Sequence, residues 1–305
     1  MMKRFLSLFL AVMLLITACA AFAEDADSET GGKGTVTLID DFETTAELEE
    51  LLHPIEPGLP GGADKADPEL AQSALDASMD ADLFVIGADG RTTVDDTKVW
   101  PYCTIALLDV HAECGCTWTG SGFLVGGNGL LLTAAHCLVC DEHSQWADSI
   151  TFYFGYKSTY DFLYAYTGRW DAYAGNIFSN KQYTTAKDFA VVKISSEVPE
   201  TCGWMGAYWG DDDRTMNSYY VNVAGYRYGK LRYDSGYMSV QDADHVTFLM
   251  DEESGNSGGP IYTQDGYAVG IIIAESWDKN GDPIYNIGYR LTNEVFNLAK
   301  EYGLE

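Results

Sequence analysis

An all-β fold is predicted for the larger, C-terminal part of this chain, and three observations predict it. From Phe84 onward, apolar or alternating runs of three to six residues recur between Gly, Asn and Asp turns. A helical pattern appears only at the end, over Thr292 to Tyr302, where Thr292 or Asn293 can cap it and Gly303 can stop it. No repeat at a fixed period is present. Many short strands at such spacing make a sandwich or barrels.

The elements follow in chain order. Met1-Met2-Lys3-Arg4 is a basic start, and Phe5 to Ala18 is an apolar run too short to span a bilayer comfortably. Ala21-Phe22-Ala23 offers a cleavage site, so residues 1–23 are expected to be a signal peptide. A competing reading takes Ile16-Thr17-Ala18-Cys19 as a lipoprotein box, with a lipid anchor on Cys19. No later run is long and apolar enough to cross a membrane, so the processed chain is expected outside the cell.

Glu24 to Asp82 carries 17 acids against two lysines and lacks Tyr, Trp and Cys. Glu43 to Leu52 has a short helical pattern, and Pro54, Pro57, Pro60 and Pro68 break the stretch that follows. Such a segment is expected to bury little on its own. The strand candidates then run Ile105–Leu108, Gly122–Val125, Leu130–Leu132, Ile150–Phe154, Ala190–Ile194, Tyr219–Val223 and Ala268–Ile273. The Tyr-rich stretch from Tyr153 to Tyr183 reads as strand and barrel packing, with an extended-peptide or polysaccharide surface as the alternative.

The formal charge is −28 at neutral pH. That argues against nucleic acid or an anionic membrane as partner. It biases cationic peptides toward the protein, within the reach of a screened field.

Chemistry concentrates in three places. Gly255-Asn256-Ser257-Gly258-Gly259-Pro260 sets a serine among glycines, which turn tightly and leave peptide N–H groups to face whatever the hydroxyl attacks. A serine hydroxyl needs a base at neutral pH. Thr133-Ala134-Ala135-His136-Cys137 supplies one, and Asp188 lies between them in Lys187-Asp188-Phe189-Ala190-Val191-Val192. The order His, Asp, Ser is that of the chymotrypsin triad. Ser257 is then the nucleophile, His136 the base and later the acid, and Asp188 the orienting group. The N–H groups of Gly255 and Ser257 are the expected oxyanion hole.

With these motifs, the chain resembles a bacterial trypsin-like serine peptidase, closest to the glutamyl endopeptidase branch. Val85 to Arg91, Trp100-Pro101-Tyr102, Ile105, Leu107, Gly120 to Val125 and Leu131 to Cys137 carry the likeness. It runs from Val85 to the C terminus, with Tyr156 to Lys187 poorly matched. The resemblance implies two six-stranded β-barrels of chymotrypsin type with the site between them and a closing C-terminal helix. It implies a secreted, monomeric serine endopeptidase that acts on protein or peptide substrates without a cofactor. Residues 24–83 then read as an acidic propeptide, a partner that covers the cleft or assists folding, and 84–305 as the peptidase domain. The alternative is a catalytically silent binding protein on the same fold.

Three departures bear on specificity and activation. In animal digestive enzymes a freed N terminus pairs with an Asp directly before the serine; here Asn256 stands there, so that pairing is not expected. Glutamyl endopeptidases carry Gly-Ile-His after the serine, whereas this chain reads Gly270-Ile271-Ile272. Ile272 cannot bond a substrate carboxylate, which argues against a glutamate preference. Asp251, six residues before Ser257, takes the offset of the acid in a basic-residue pocket, with Glu275 adding charge on the wall. The other reading makes Asp251-Glu252-Glu253 a solvated loop outside the pocket.

Seven cysteines are present, six of them after residue 23. An even number in an exported chain suggests disulfides. The family habit of bridging the histidine loop implies Cys137 to Cys116 or Cys114. Cys103, Cys140 and Cys202 are then left with the remaining member of that pair. A zinc reading of His136, Cys137, Cys140 and His143 would consume the base, so no metal is expected.

Overall fold

The computed structural model describes residues 31–39, 55–60, 90–179, 182–210, 212–252, 254–280 and 283–303. The signal-peptide reading, Cys19, the Glu43–Leu52 helix pattern, Val85 to Asp89 and Glu253 fall outside them. Among the described residues no helix is long and apolar enough to cross a membrane.

The described residues are mostly strands, arranged in two closed barrels with a C-terminal helix, the double-barrel fold expected. The first barrel contains β1 (Gly32–Ile39), β2 (Ile105–Ala112), β3 (Thr117–Val125), β4 (Leu130–Thr133), β5 (Gln145–Phe154), β6 (Trp170–Gly175) and β7 (Ala190–Lys193). Its ladder runs β1-β6-β7-β4-β3-β2-β5 and returns from β5 to β1. The second contains β8 (Tyr220–Arg227), β9 (Lys230–Val240), β10 (His245–Phe248), β11 (Pro260–Thr263), β12 (Tyr267–Trp277) and β13 (Pro283–Arg290). There the order is β12-β11-β8-β9-β10-β13, and β13 pairs β12 to close it. Closure removes the exposed strand edges that invite aggregation.

Continuous apolar runs fill the first barrel. Ile105, Leu108, Phe123, Leu131, Phe152, Phe154, Trp170 and Val192 are fully buried, and they fill the first barrel and its interface with the second. Val221, Val223, Met238, Phe248, Met250, Ile261 and Ile272 form a separate cluster in the second barrel. A fully buried Phe or Trp of this kind costs about 3–5 kcal/mol when cut to Ala. Thr292 caps the C-terminal helix Asn293–Glu301 through the Val295 N–H, and Gly303 follows at φ 94°.

Part of the acidic leading segment behaves otherwise than its composition predicts. β1 is a strand of the first barrel. It runs parallel to β6 from Gly34↔Trp170 to Ile39↔Gly175 and meets β5 at Gly32↔Ile150. Thr35-Val36-Thr37 gives it a β-like alternation, and Val36 packs on the core. Glycine makes the approach close enough: a Cβ on Gly34 would lie 2.1 Å from the Trp170 ring. The Trp170 indole N–H donates to Gly32 O at 2.7 Å. Farther on, Ile55 exchanges backbone hydrogen bonds with Ala207, and Gly58 with Trp204. Local composition concealed this, because the strand borrows its apolar surface from a distant Trp.

A Gly34→Val exchange drives a branched side chain into Trp170 and should cost the full-length chain about 1–3 kcal/mol, read as a lower Tm. An unchanged Tm would show that β1 does not dock on Trp170.

Candidate active site

His136 and Asp188 meet because their strands are neighbours. β4 and β7 pair antiparallel with Thr133 opposite Ala190. His136 leaves β4 three residues past that pair, on the single turn Ala135–Leu138. Asp188 enters β7 two residues before it. Both side chains therefore emerge at one end of the same ladder.

Two bonds lock the contact. The His136 backbone N–H donates to Asp188 Oδ1 at 3.0 Å, and the ring Nδ1 lies 2.7 Å from Oδ2. A carboxylate only accepts, so Nδ1 carries the proton and Nε2 is left as the basic atom. The Asp188 side chain is 0 % exposed and that of His136 23 % exposed. The acid is thus sealed while the base keeps an open edge. Burial opposes a charge on His136, but the Asp188 carboxylate and the Cys137 thiol act the other way, and the imidazole pKa stands well above its ordinary value.

Tyr183 completes the acid's surroundings. Its hydroxyl donates to Asp188 Oδ2, and its ring stands edge-on to His136 with centroids 5.9 Å apart. Burial and the Asp188 charge push the phenol pKa up. Sequence reasoning placed Tyr183 in barrel packing; nothing local marks it, since its partner is set by the fold.

Ser257 sits in the loop between β10 and β11, in the other barrel. Its backbone carbonyl accepts from the Ser121 N–H at 2.9 Å and from the Cys137 thiol at 3.2 Å. The same Cys137 Sγ lies 3.8 Å from His136 Nε2, so serine and imidazole flank one sulfur. Ser121 ties the barrels a second time: its hydroxyl donates to Gly255 O at 2.9 Å and accepts from the Tyr226 N–H at 2.8 Å. The glycines are required here. Gly255 has φ 103°, and Gly258, at φ 84°, would place a Cβ 2.1 Å from Ser121 O.

The expected specificity residues have definite places. Asp251 is half-buried, and its carboxylate accepts the Gly90 N–H at 2.7 Å. Ile272 is buried in the second-barrel cluster. Glu275 lies on β12 opposite Asn286. Glu252, which one reading of the sequence puts in a solvated loop, is instead partly withdrawn from solvent. Its Oε2 accepts from Asn256 Nδ2 at 2.5 Å. Burial pushes its pKa up to about 8, with the Asn256 hydrogen bond and Arg91 opposing and Glu275 and Asp234 adding to the rise.

The cysteines depart from the expected bridges. Among the described residues no S–S bond joins Cys103, Cys114, Cys116, Cys137, Cys140 or Cys202. Cys137 faces Gly120, where a Cβ would lie 2.9 Å from its sulfur, so the residue across from it has no side chain to offer. Cys114 and Cys116 converge instead with Cys140 and His143. The Cys103 thiol donates to the Cys202 carbonyl at 3.1 Å. The zinc grouping through His136 and Cys137 does not assemble either, since His136 is committed to Asp188.

The double barrel is that of a chymotrypsin-fold serine peptidase, and comparison with known proteins agrees. The family profile described as a trypsin-like peptidase domain matches residues 120–271, a span that includes His136, Asp188 and Ser257. An extracellular metalloprotease of Bacillus subtilis (strain 168) is 29 % identical over 223 residues, 70 % of this chain and 67 % of that protein. A glutamyl endopeptidase of Bacillus licheniformis is 25 % identical over 224 residues, with the same shares. Among solved structures, a Glu endopeptidase in complex with MPD superposes with a TM-score of 0.55 at 25 % identity, covering 72 % of this chain and all of that one. Protease Anisep from Arthrobacter nicotinovorans shares the fold, with a TM-score of 0.55 at 15 % identity over 68 % of this chain and 96 % of its own. The chain belongs to the trypsin-like serine peptidases and is related to the glutamyl endopeptidase branch; it is a serine endopeptidase.

The Asp188 contact sets a pH dependence. Only neutral His136 can take a proton, and its pKa is raised, so the acid limb of kcat/KM should lie above the ordinary histidine value of about 6.5. Asp188→Asn should move that limb down and cut kcat by about four decades. Tyr183→Phe should move it up, because the carboxylate loses a competing donor. A limb that stays put in both variants would contradict the arrangement.

Proposed function

We propose that this chain is a secreted, monomeric endopeptidase that cleaves peptide bonds through His136, Asp188 and Ser257. The observation that carries the reading is the pair of hydrogen bonds from His136 to the buried Asp188, with the Ser257 peptide pinned to the same barrel through Ser121. In the proposed cycle Ser257 Oγ attacks the scissile carbonyl carbon as His136 Nε2 takes its proton. The Gly255 and Ser257 N–H groups receive the negative oxygen, a contribution of about 3–4 kcal/mol per donor. Imidazolium then protonates the leaving amine. Water, deprotonated by the same nitrogen, hydrolyses the acyl-enzyme and restores the hydroxyl. No cofactor takes part.

Arg or Lys is the proposed P1 residue. Asp251, with Glu275 adding charge, is the proposed acid of the pocket, where a guanidinium or ammonium could pair with its carboxylate. Burial of Ile272 among apolar side chains speaks against glutamate. Residues 1–23 are proposed as a signal peptide and 24–83 as a propeptide. The docking of β1 and of Ile55 to Pro60 favours assistance to folding over a role as a solvated linker.

An active-site phosphonylating reagent tests the reading. Wild-type protein should be labelled at Ser257, and Ser257→Ala neither labels nor cuts. With a mixed peptide library, cleavage should follow Arg or Lys, and Asp251→Ala should lower kcat/KM for those peptides by at least about tenfold. A folded wild-type chain that takes no label would point to the silent binding protein. Cuts after glutamate would overturn the P1 assignment alone.

A further inference from the structure

We propose that Cys114, Cys116, Cys140 and His143 form a structural zinc site that staples two hairpins beside the histidine turn. The Sγ atoms of the three cysteines and a ring nitrogen of His143 all lie within 4.8 Å of one another. His143 Nδ1 is 3.4 Å from Cys116 Sγ and 3.6 Å from Cys140 Sγ. A tetrahedral zinc with ordinary bond lengths puts sulfur and nitrogen about 3.6 Å apart and two sulfurs about 3.8 Å apart. His143 Nδ1 already stands at nearly that separation from two of the sulfurs, and no pair in the group is more than 4.8 Å apart.

The fold presets the cluster from two sides. Cys114 and Cys116 lie on the turn between β2 and β3, where Gly115 at φ 84° lets the chain reverse. Ala112 closes that turn through the Gly115 and Cys116 backbone, at 2.9 and 3.0 Å. Cys140 and His143 lie on the turn between the short strand Val139–Cys140 and β5, closed by the Ser144 N–H on Cys140 O at 2.8 Å. β5 pairs with β2 and with Val139–Cys140, so both turns leave the same end of one sheet. Each turn therefore delivers two ligands, one as Cys-x-Cys and the other as Cys-x-x-His.

The donor set names the metal class. Three thiolates and an imidazole suit zinc, and four protein ligands leave no open position for catalysis. A disulfide among three cysteines would leave one thiol over and give His143 no role. A metal here would act on the site by proximity. Cys140 follows His136 by four residues, and the Trp118 indole N–H, two residues past Cys116, donates to Cys137 O at 2.8 Å. The ion would hold the His136 turn where other chains could use a bridge from Cys137. That last effect rests on the catalytic reading; the binding of zinc does not.

Elemental analysis of the purified full-length chain, prepared without chelator, tests the site. One zinc per chain is expected, falling to near zero in His143→Ala and in Cys140→Ser, while Cys137→Ala keeps its metal. Cobalt in place of zinc should give thiolate-to-metal charge-transfer absorption. Should the variants fail to fold, thiol alkylation of the wild type decides. Cys114, Cys116 and Cys140 should resist reagent until a strong chelator is added, and Tm should drop with it. Zinc retained in His143→Ala, immediate alkylation of all three thiols, or a metal-free chain with two of them joined in a disulfide would each overturn the proposal.

Discussion

Asp188 is a carboxylate with no exposed surface, and the architecture of the site follows from its need for donors. A buried charge stripped of a partner costs about 3–5 kcal/mol. Here three groups meet that need: the His136 backbone N–H, the His136 ring and the Tyr183 hydroxyl. Each fixes something chemical. The backbone bond sets the histidine turn, the ring bond sets the tautomer, and the tyrosine closes the acid off from water. The β4–β7 register makes the meeting compulsory, since a slip of one residue would turn both side chains to the other face.

The serine is brought to this pair from another barrel by backbone, not by its own side chain. Ser121, on β3, bonds the carbonyl of Gly255, two residues before Ser257, through its hydroxyl and the Ser257 carbonyl through its N–H. Glycines at 255 and 258 permit the approach, because any side chain there would strike backbone oxygen. The composition of the Gly255 to Gly259 run is thus a packing requirement as well as a chemical one.

The double barrel was legible through the resemblance, and the three candidate residues stood out because each lies in a local pattern: a serine among glycines, a histidine after an apolar strand, an acid before another. What escaped it depends on distance. Tyr183 is an ordinary strand tyrosine until the fold sets it against Asp188. β9 and β13 carry Arg232, Asp234, Asn286 and Arg290 among their residues, which broke the apolar runs that mark strands. β1 sits in an acidic stretch and buries itself against Trp170, 136 positions away from Gly34 in the chain. The cysteines mislead for the same reason: the partner expected for Cys137 is a matter of which residue faces it, and that residue is Gly120. His143, three residues past Cys140, joins Cys114 and Cys116 only because β5 holds both turns together.

The central claim is that His136 and Ser257, supplied by different barrels, work as one unit. A double-mutant cycle on kcat/KM with His136→Ala, Ser257→Ala and the pair tests it most directly. Residues acting as a unit are far from additive. The account predicts that either single change costs about as much as both together. Losses that multiply in the double variant would show that the two act independently, and would contradict it.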